Sequence, residues 1–167
     1  HEFYEKTKGV DYEDSYGNNA IMNVAALKYV NENLSISAGR QEIDLEWLGD
    51  FNEAIVSEIK AIKDTAITMA YSNRQAEIGI DFTEDFRDIN ENKGLYVLDI
   101  KNTGLENIEI NPYFYSAPNL ADFYGIKTSY DNDLFGGTAH YAKSSEDTQK
   151  DGSIYNLEAR FNIADIS

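Results

Sequence analysis

The ten residues Ile154-Tyr155-Asn156-Leu157-Glu158-Ala159-Arg160-Phe161-Asn162-Ile163 decide the fold. Tyr155, Leu157, Ala159, Phe161 and Ile163 fall on one face of an extended chain, and Asn156, Glu158, Arg160 and Asn162 on the other. Nearly unbroken alternation is the period of a β-strand, whose successive side chains point to opposite faces. The length is equally informative. A strand of a soluble sandwich is usually about 5–6 residues long, whereas a tilted strand crossing a bilayer needs about 9–11.

Working outward, the same rule recurs. Leu34, Ile36 and Ala38 alternate with Ser35, Ser37 and Gly39; Ile67, Met69 and Tyr71 with Thr68, Ala70 and Ser72; Tyr96, Leu98 and Ile100 with Val97, Asp99 and Lys101. Ile108, Ile110, Pro112 and Phe114 oppose Glu109, Asn111, Tyr113 and Tyr115. Tyr124, Ile126, Thr128 and Tyr130 oppose Gly125, Lys127 and Ser129, and Phe135, Gly137, Ala139 and Tyr141 oppose Gly136, Thr138, His140 and Ala142. The polar faces carry Ser, Thr, Asn, Glu, Lys, Arg and Gly, which reads as a wet surface rather than a packed core. Short connections at 31–33, 61–64, 102–107 and 131–134, rich in Asn, Asp and Gly, alternate with longer ones at 41–52, 73–93 and 144–152. The expectation is an all-β chain: an antiparallel up-and-down transmembrane β-barrel with short turns at one rim and long loops at the other. About nine or ten strands are countable from these alternating segments.

Composition agrees. Among 167 residues, 30 Asp and Glu face 14 Lys and Arg, a net charge of −16, so no basic footprint for nucleic acid exists. With no Cys and only His1 and His140, a disulfide scaffold, a cysteine zinc site and a multi-His metal centre are excluded. The mean hydropathy is −0.51, which does not argue against a membrane barrel, because alternation averages apolar with polar. Twelve Tyr against two Pro suit strands and bilayer interfaces. Residues 1–20 are polar, acidic and aromatic, and read as an outer loop. They hold no basic segment followed by an apolar run, so a signal peptide is either already removed or lies further upstream. The end, Ala164-Asp165-Ile166-Ser167, lacks a terminal aromatic, and the whole 1–167 reads as a single barrel region, an internal piece of a longer barrel.

Three patches resemble a known family. They are Ser37-Ala38-Gly39-Arg40-Gln41-Glu42 followed by Glu46-Trp47-Leu48-Gly49-Asp50-Phe51; Ile110-Asn111-Pro112-Tyr113-Phe114-Tyr115-Ser116-Ala117-Pro118; and Asp151-Gly152-Ser153-Ile154-Tyr155-Asn156-Leu157-Glu158 with Ala159-Arg160-Phe161-Asn162-Ile163. Their order and spacing resemble the epsilonproteobacterial (Campylobacter/Helicobacter-type) outer-membrane porins of Gram-negative cells, distantly similar to OprD-type porins. The resemblance implies a homotrimer of barrels of about 16–18 strands with water-filled pores, set in outer-membrane lipid and lipopolysaccharide and passing small hydrophilic solutes by diffusion.

The segment 41–59 holds six acids and no Lys or Arg: Glu42, Asp44, Glu46, Asp50, Glu53 and Glu58. Continuing the Leu34/Ile36/Ala38 face would carry Arg40, Glu42, Asp44 and Glu46 into lipid, where charges near mid-membrane cost up to several kcal/mol. The strand is therefore expected to end or bulge near Gly39 and Arg40. Residues 41–52 either lie outside the membrane plane as a solvated acidic surface loop or, as is expected here, form a loop that narrows the pore, with Glu42, Asp44, Glu46, Asp50 and Arg40 at the constriction; clustered carboxylates there favour cations. The charges on the polar faces, Asp99, Lys101, Glu109, Lys127, His140, Glu158 and Arg160, with Glu58 and Lys60, would line the pore wall, part of them only pairing with neighbours. Asp88-Ile89-Asn90-Glu91-Asn92-Lys93-Gly94 imitates a calcium loop but has Lys93 where an EF-hand needs Gly. No cofactor is expected, and loose binding of a divalent cation such as calcium is the most the acidic loops suggest. Catalytic motifs such as G-x-S-x-G, H-E-x-x-H and the phosphate-binding loop are absent, so the reading is a channel and not an enzyme. A soluble β-sandwich binding carbohydrate, or a small non-conducting outer-membrane barrel, would use the same alternation.

Overall fold

The structure, a computed structural model, describes residues 22, 24–78, 84–147 and 150–161. The expected outer loop at 1–20, and Asn162 and Ile163 of the decisive stretch, lie outside the described residues. Among those described there is no helix. Ten strands form one antiparallel sheet: β1 Ala25–Val30, β2 Leu34–Glu42, β3 Phe51–Ile62, β4 Thr65–Ala76, β5 Arg87–Asp88, β6 Leu95–Leu105, β7 Ile108–Ala117, β8 Ala121–Asp131, β9 Phe135–Glu146 and β10 Ser153–Phe161. Each pairs with the next in sequence, except that two-residue β5 clips onto β4 and β6 takes the following place. The sheet is an open meander: β1 and β10 do not pair, as expected of half a barrel.

The register bears out the two faces. Leu157 stands opposite Ala139 and Glu158 opposite Thr138. On the apolar face, Ile67 meets Ile100, Met69 meets Leu98 and Tyr71 meets Tyr96. Pro112 meets Ile126 and Phe114 meets Tyr124 in the same row system. Met69, Tyr96, Leu98, Phe114, Tyr124 and Ile126 are exposed and Leu157 is 83% exposed, with Ile67, Tyr71, Ile100 and Pro112 half-buried between them, so this surface needs an apolar solvent. Two aromatic girdles bracket it. Toward the long loops, Tyr71 packs on Tyr96 and Tyr141 on Tyr155, both with ring centroids 4.9 Å apart. Toward the short turns, Phe135 lies between Tyr130 and Phe161 at 5.9 and 5.2 Å. Rings that are apolar in body and polar at the tip settle at the two membrane interfaces.

At the turn rim, Asn31 and Asn132 accept backbone N–H bonds through their side-chain oxygens, and Asp64 and Asn107 take positive φ. These are the local chemistries that let a hairpin reverse in few residues. The opposite rim carries the longer connections 43–50, 77–94 and 147–152, but also the tight turn 118–120. The alternation of short and long is therefore broken once, where Pro118 and Asn119 close β7 onto β8.

β2 does not end at Gly39. It runs on to Glu42, and Gly39 takes φ +125°, where a Cβ would strike the Ala25 carbonyl of β1. Arg40 consequently stays on the apolar face at the loop rim. Its charge is matched there: Glu53, opposite it on β3, receives Arg40 at 2.7 Å and Arg74 at 3.4 Å. A bulge in β4 opposite Glu53 and Ala54 brings Arg74 into that row, where Asp88 of β5 also reaches it at 3.2 Å.

Candidate functional site: a loop seated on the polar face

The polar face is not wet throughout. Ile43 and Leu48, from the loop 43–50 between β2 and β3, are buried against a bed of Ala54, Ala70, Val97, Tyr113, Tyr115 and Ala142. Leu48 is 2% exposed and Tyr115 is fully covered. These small and aromatic positions belong to five strands, β3, β4, β6, β7 and β9, and they form the chain's dry core. The expectation of a uniformly wet polar face is corrected here: burying two aliphatic side chains there stabilises the seat by about 1.5–3 kcal/mol each. The signal in sequence was the pair Ile43 and Leu48 inside an otherwise acidic run, and Tyr113, Tyr115 and Val97 among polar neighbours.

Polar contacts fix both ends of the loop. At its base, the fully buried Asn52 donates to the carbonyls of Gly49 (2.7 Å) and Asp50 (3.0 Å) and accepts from Ser72 Oγ at 2.8 Å. Gln75 adds a second bond to Gly49 O at 2.9 Å. At its tip, Leu45 and Leu48 form an isolated bridge. Trp47 leans on Phe123 and His140, with centroids 6.5 and 6.3 Å away, and its backbone N–H donates to Tyr115 Oη at 3.5 Å. Glu46 crosses to the wall: Lys127 Nζ on β8 donates to its Oε2 at 2.9 Å, and His140 Nδ1 on β9 lies 3.5 Å from its Oε1. His140 Nε2 is 2.7 Å from Tyr113 Oη. A neutral imidazole with its proton on Nδ1 satisfies both neighbours, accepting from the tyrosine and facing the carboxylate with its N–H.

Lys127 and His140 are adjacent because β8 and β9 pair them directly, and Asn111 pairs Lys127 from β7. Lys101 stands 3.6 Å from Glu109. Asp99, 6% exposed, accepts from Asn111 Nδ2 at 2.9 Å. Asp44, Glu46, Asp99, Lys101, Glu109 and Lys127 thus line one polar cleft of about 340 Å³ beside the loop. On the loop's other side, Glu42 and Asp44 line a cleft of about 280 Å³ that also holds Lys28 and Glu58; Glu58 is paired to Lys60 at 2.7 Å.

The remaining sequence candidates lie apart from this group. Asp50, at φ 59°, lends its backbone carbonyl to Ile43 N while its side chain is exposed. Arg40 is on the opposite face of the sheet, with Glu53. Glu158 is on the polar face of β10, bonded by Asn156, and Arg160 pairs with Asp131 at 2.6 Å near the short turns. In the calcium-like stretch, Asp88 is held by Arg74, and Asn90, Glu91 and Asn92 make a left-handed turn. Among the described residues no group of three His, Cys, Asp or Glu is placed to hold a metal.

A sheet with an apolar, aromatic-girdled face and a charged face bearing an infolded loop defines the wall of an outer-membrane β-barrel. The chain belongs to the family described as "Putative outer membrane protein", whose profile matches residues 3–138. Solved structures share its fold, two of them from Acinetobacter baumannii. OccAB4 of Acinetobacter baumannii is 11% identical with a TM-score of 0.55, and the match covers 81% of this chain. OccAB2 of the same organism is 16% identical with a TM-score of 0.57, over 79% of this chain. The likeness to both is one of fold, an antiparallel β-barrel wall, in a chain whose family is that of an outer-membrane protein. The chain spans about two fifths of their length, 41% and 39% respectively. No curated protein sequence matches it at a significant level.

Proposed function

We propose that the chain lines a water-filled, weakly cation-selective pore for passive diffusion of small hydrophilic solutes, and that loop 43–50 narrows it. The observation that carries the reading is the seat of an acidic loop on the charged face of a porin-type wall, with Glu46 on Lys127 and His140. Acids on the loop facing Lys101 and Lys127 across about 340 Å³ produce a transverse field in a narrow passage, where charges are screened less than on an open surface. Glu42, Asp44, Glu46 and Asp50 supply the excess negative charge that concentrates cations. Arg40 acts at the rim, and Glu158 and Arg160 tune the wall away from the narrowing. No bond is made or broken in such a role, and the protein is not an enzyme. A homotrimer in outer-membrane lipid and lipopolysaccharide is the assembly its family resemblance favours.

The test is the reversal potential of the protein, extracted from its outer membrane and inserted in a planar bilayer, under a KCl gradient. Replacing Glu42, Asp44, Glu46 and Asp50 by Gln or Asn moves it toward zero or toward anion preference. An unchanged value means the loop does not set selectivity.

A further inference from the structure

His140 stands where the loop tip meets the wall, and its side chain is 9% exposed. Tyr113 Oη lies 2.7 Å from its Nε2, and Glu46 Oε1 lies 3.5 Å from its Nδ1. The second distance is long for a hydrogen bond, whereas Lys127 holds the other oxygen of the same carboxylate at 2.9 Å. The Trp47 ring leans on the imidazole, with centroids 6.3 Å apart. The titratable and charged groups that face His140 are therefore Glu46 from the loop, Tyr113 from β7 and Lys127 from β8. On β10 the neutral Asn156 stands directly opposite, with Glu158 two residues along. Asp44, Asp99, Lys101 and Glu109 share the cleft that Glu46 and Lys127 line.

We infer that His140 is a proton-operated latch: on gaining a proton, its imidazole draws Glu46 onto the wall and seats loop 43–50 more firmly. The inference rests on the pore reading above. Histidine is the side chain that ordinarily changes charge between about pH 5 and 8. The neutral ring offers Glu46 only a distant N–H. The protonated ring offers a full charge to Oε1 while Lys127 keeps Oε2, so one carboxylate bridges two cations on paired strands, each on its own oxygen. Lys127 repels the added charge across the ladder, and Glu46, held by both, offsets that repulsion. Tyr113 does not resist the change: its hydroxyl donates to the neutral Nε2 and rotates to accept from the protonated one. The extra seating is present while the imidazole is charged and is lost as the pH rises through its titration. Acid therefore steadies the loop tip, and neutral pH frees it.

Single-channel recordings test it, on the protein extracted from its outer membrane and held at about pH 7.5 and about pH 5.5. These bracket the ordinary range of histidine and stay above that of carboxylates, about 4. Flicker should be about threefold rarer at the lower pH, the size expected of one partly shielded ion pair. His140→Asn should flicker equally at both, and His140→Gln gives the same reading if the first variant does not insert. Glu46→Gln should also lose the response, since the charged ring then has no carboxylate to draw. Lys127→Met should keep the response, with His140 as the remaining cation on Glu46. Flicker in the unmodified channel that is unchanged or more frequent at the lower pH overturns the inference, as does a pH response that survives in H140N, H140Q or E46Q. Absence of ohmic steps from the unmodified protein overturns instead the pore reading beneath it.

Discussion

Glu46 and Lys127 meet at 2.9 Å across 81 residues of sequence, one on a loop and the other on the wall of the sheet. The pair is partly shielded, with side-chain exposures of 22% and 38%, so its direct contribution is about 1 kcal/mol, toward the upper end for an ion pair near water. Position matters more than magnitude: the bond fixes how far the loop tip stands from β8.

Breaking it therefore changes the aperture. Lys127→Met should raise single-channel conductance and add flicker, as the tip leaves the wall. The charge-swapped double variant E46K/K127E should return both toward the unmodified trace, with a coupling of about 1 kcal/mol or less in a double-mutant cycle. Equal noise in the single and swapped variants would show that the contact does not hold the tip.

Leu48 tests the dry seat. Leu48→Ala leaves a void beneath the loop and should cost about 2–4 kcal/mol, read from urea unfolding of the protein folded into lipid bilayers. Conductance should rise in the same variant, because the apolar bed and the aperture depend on one side chain.

The membrane face makes a sharper contrast. Leu157→Lys places a charge on the lipid side of β10 and should cost about 2–4 kcal/mol if it lies near the bilayer centre. Asn156→Lys, one residue away on the polar face, should cost less than 1 kcal/mol by the usual range for surface changes. Equal penalties would refute the assignment of faces.

Gly125 is required by close approach. A Cβ there would meet the Tyr113 hydroxyl and the Tyr141 carbonyl, so Gly125→Ala should cost about 1–3 kcal/mol and displace Tyr113 from His140. The same unfolding assay reads the first effect; altered channel flicker reads the second.

The sheet was legible in the sequence because period 2 is a local signal that survives in every strand, and Leu157 against Glu158 is as clear on paper as in space. The loop's seat was legible only by half. Its acids and the change of phase at Gly39 and Arg40 marked the segment as unable to continue on the lipid side. Arg40 nevertheless stays on that side, neutralised by Glu53 opposite it, while a bulge in β4 brings Arg74 into the same row with Asp88 as its own partner; a one-residue irregularity has no periodic signature. Nor could pattern reveal that Leu48 shares a buried cluster with Tyr115, or that Asp99 is covered and bonded by Asn111. Those are facts of pairing between strands far apart in the chain.

The bed beneath Leu48 also has a consequence for timing. Its members come from β3 through β9, so a nascent sheet that holds only the first four strands offers the loop nowhere to sit. Local hairpins can zip in order along the chain, but the loop must wait for Tyr115 and then for Lys127 and His140, contacts of long sequence separation that form late. On the proposed function, a wall raised without its seated loop would leak, and selectivity would come only once strands as far along as β9 are in place.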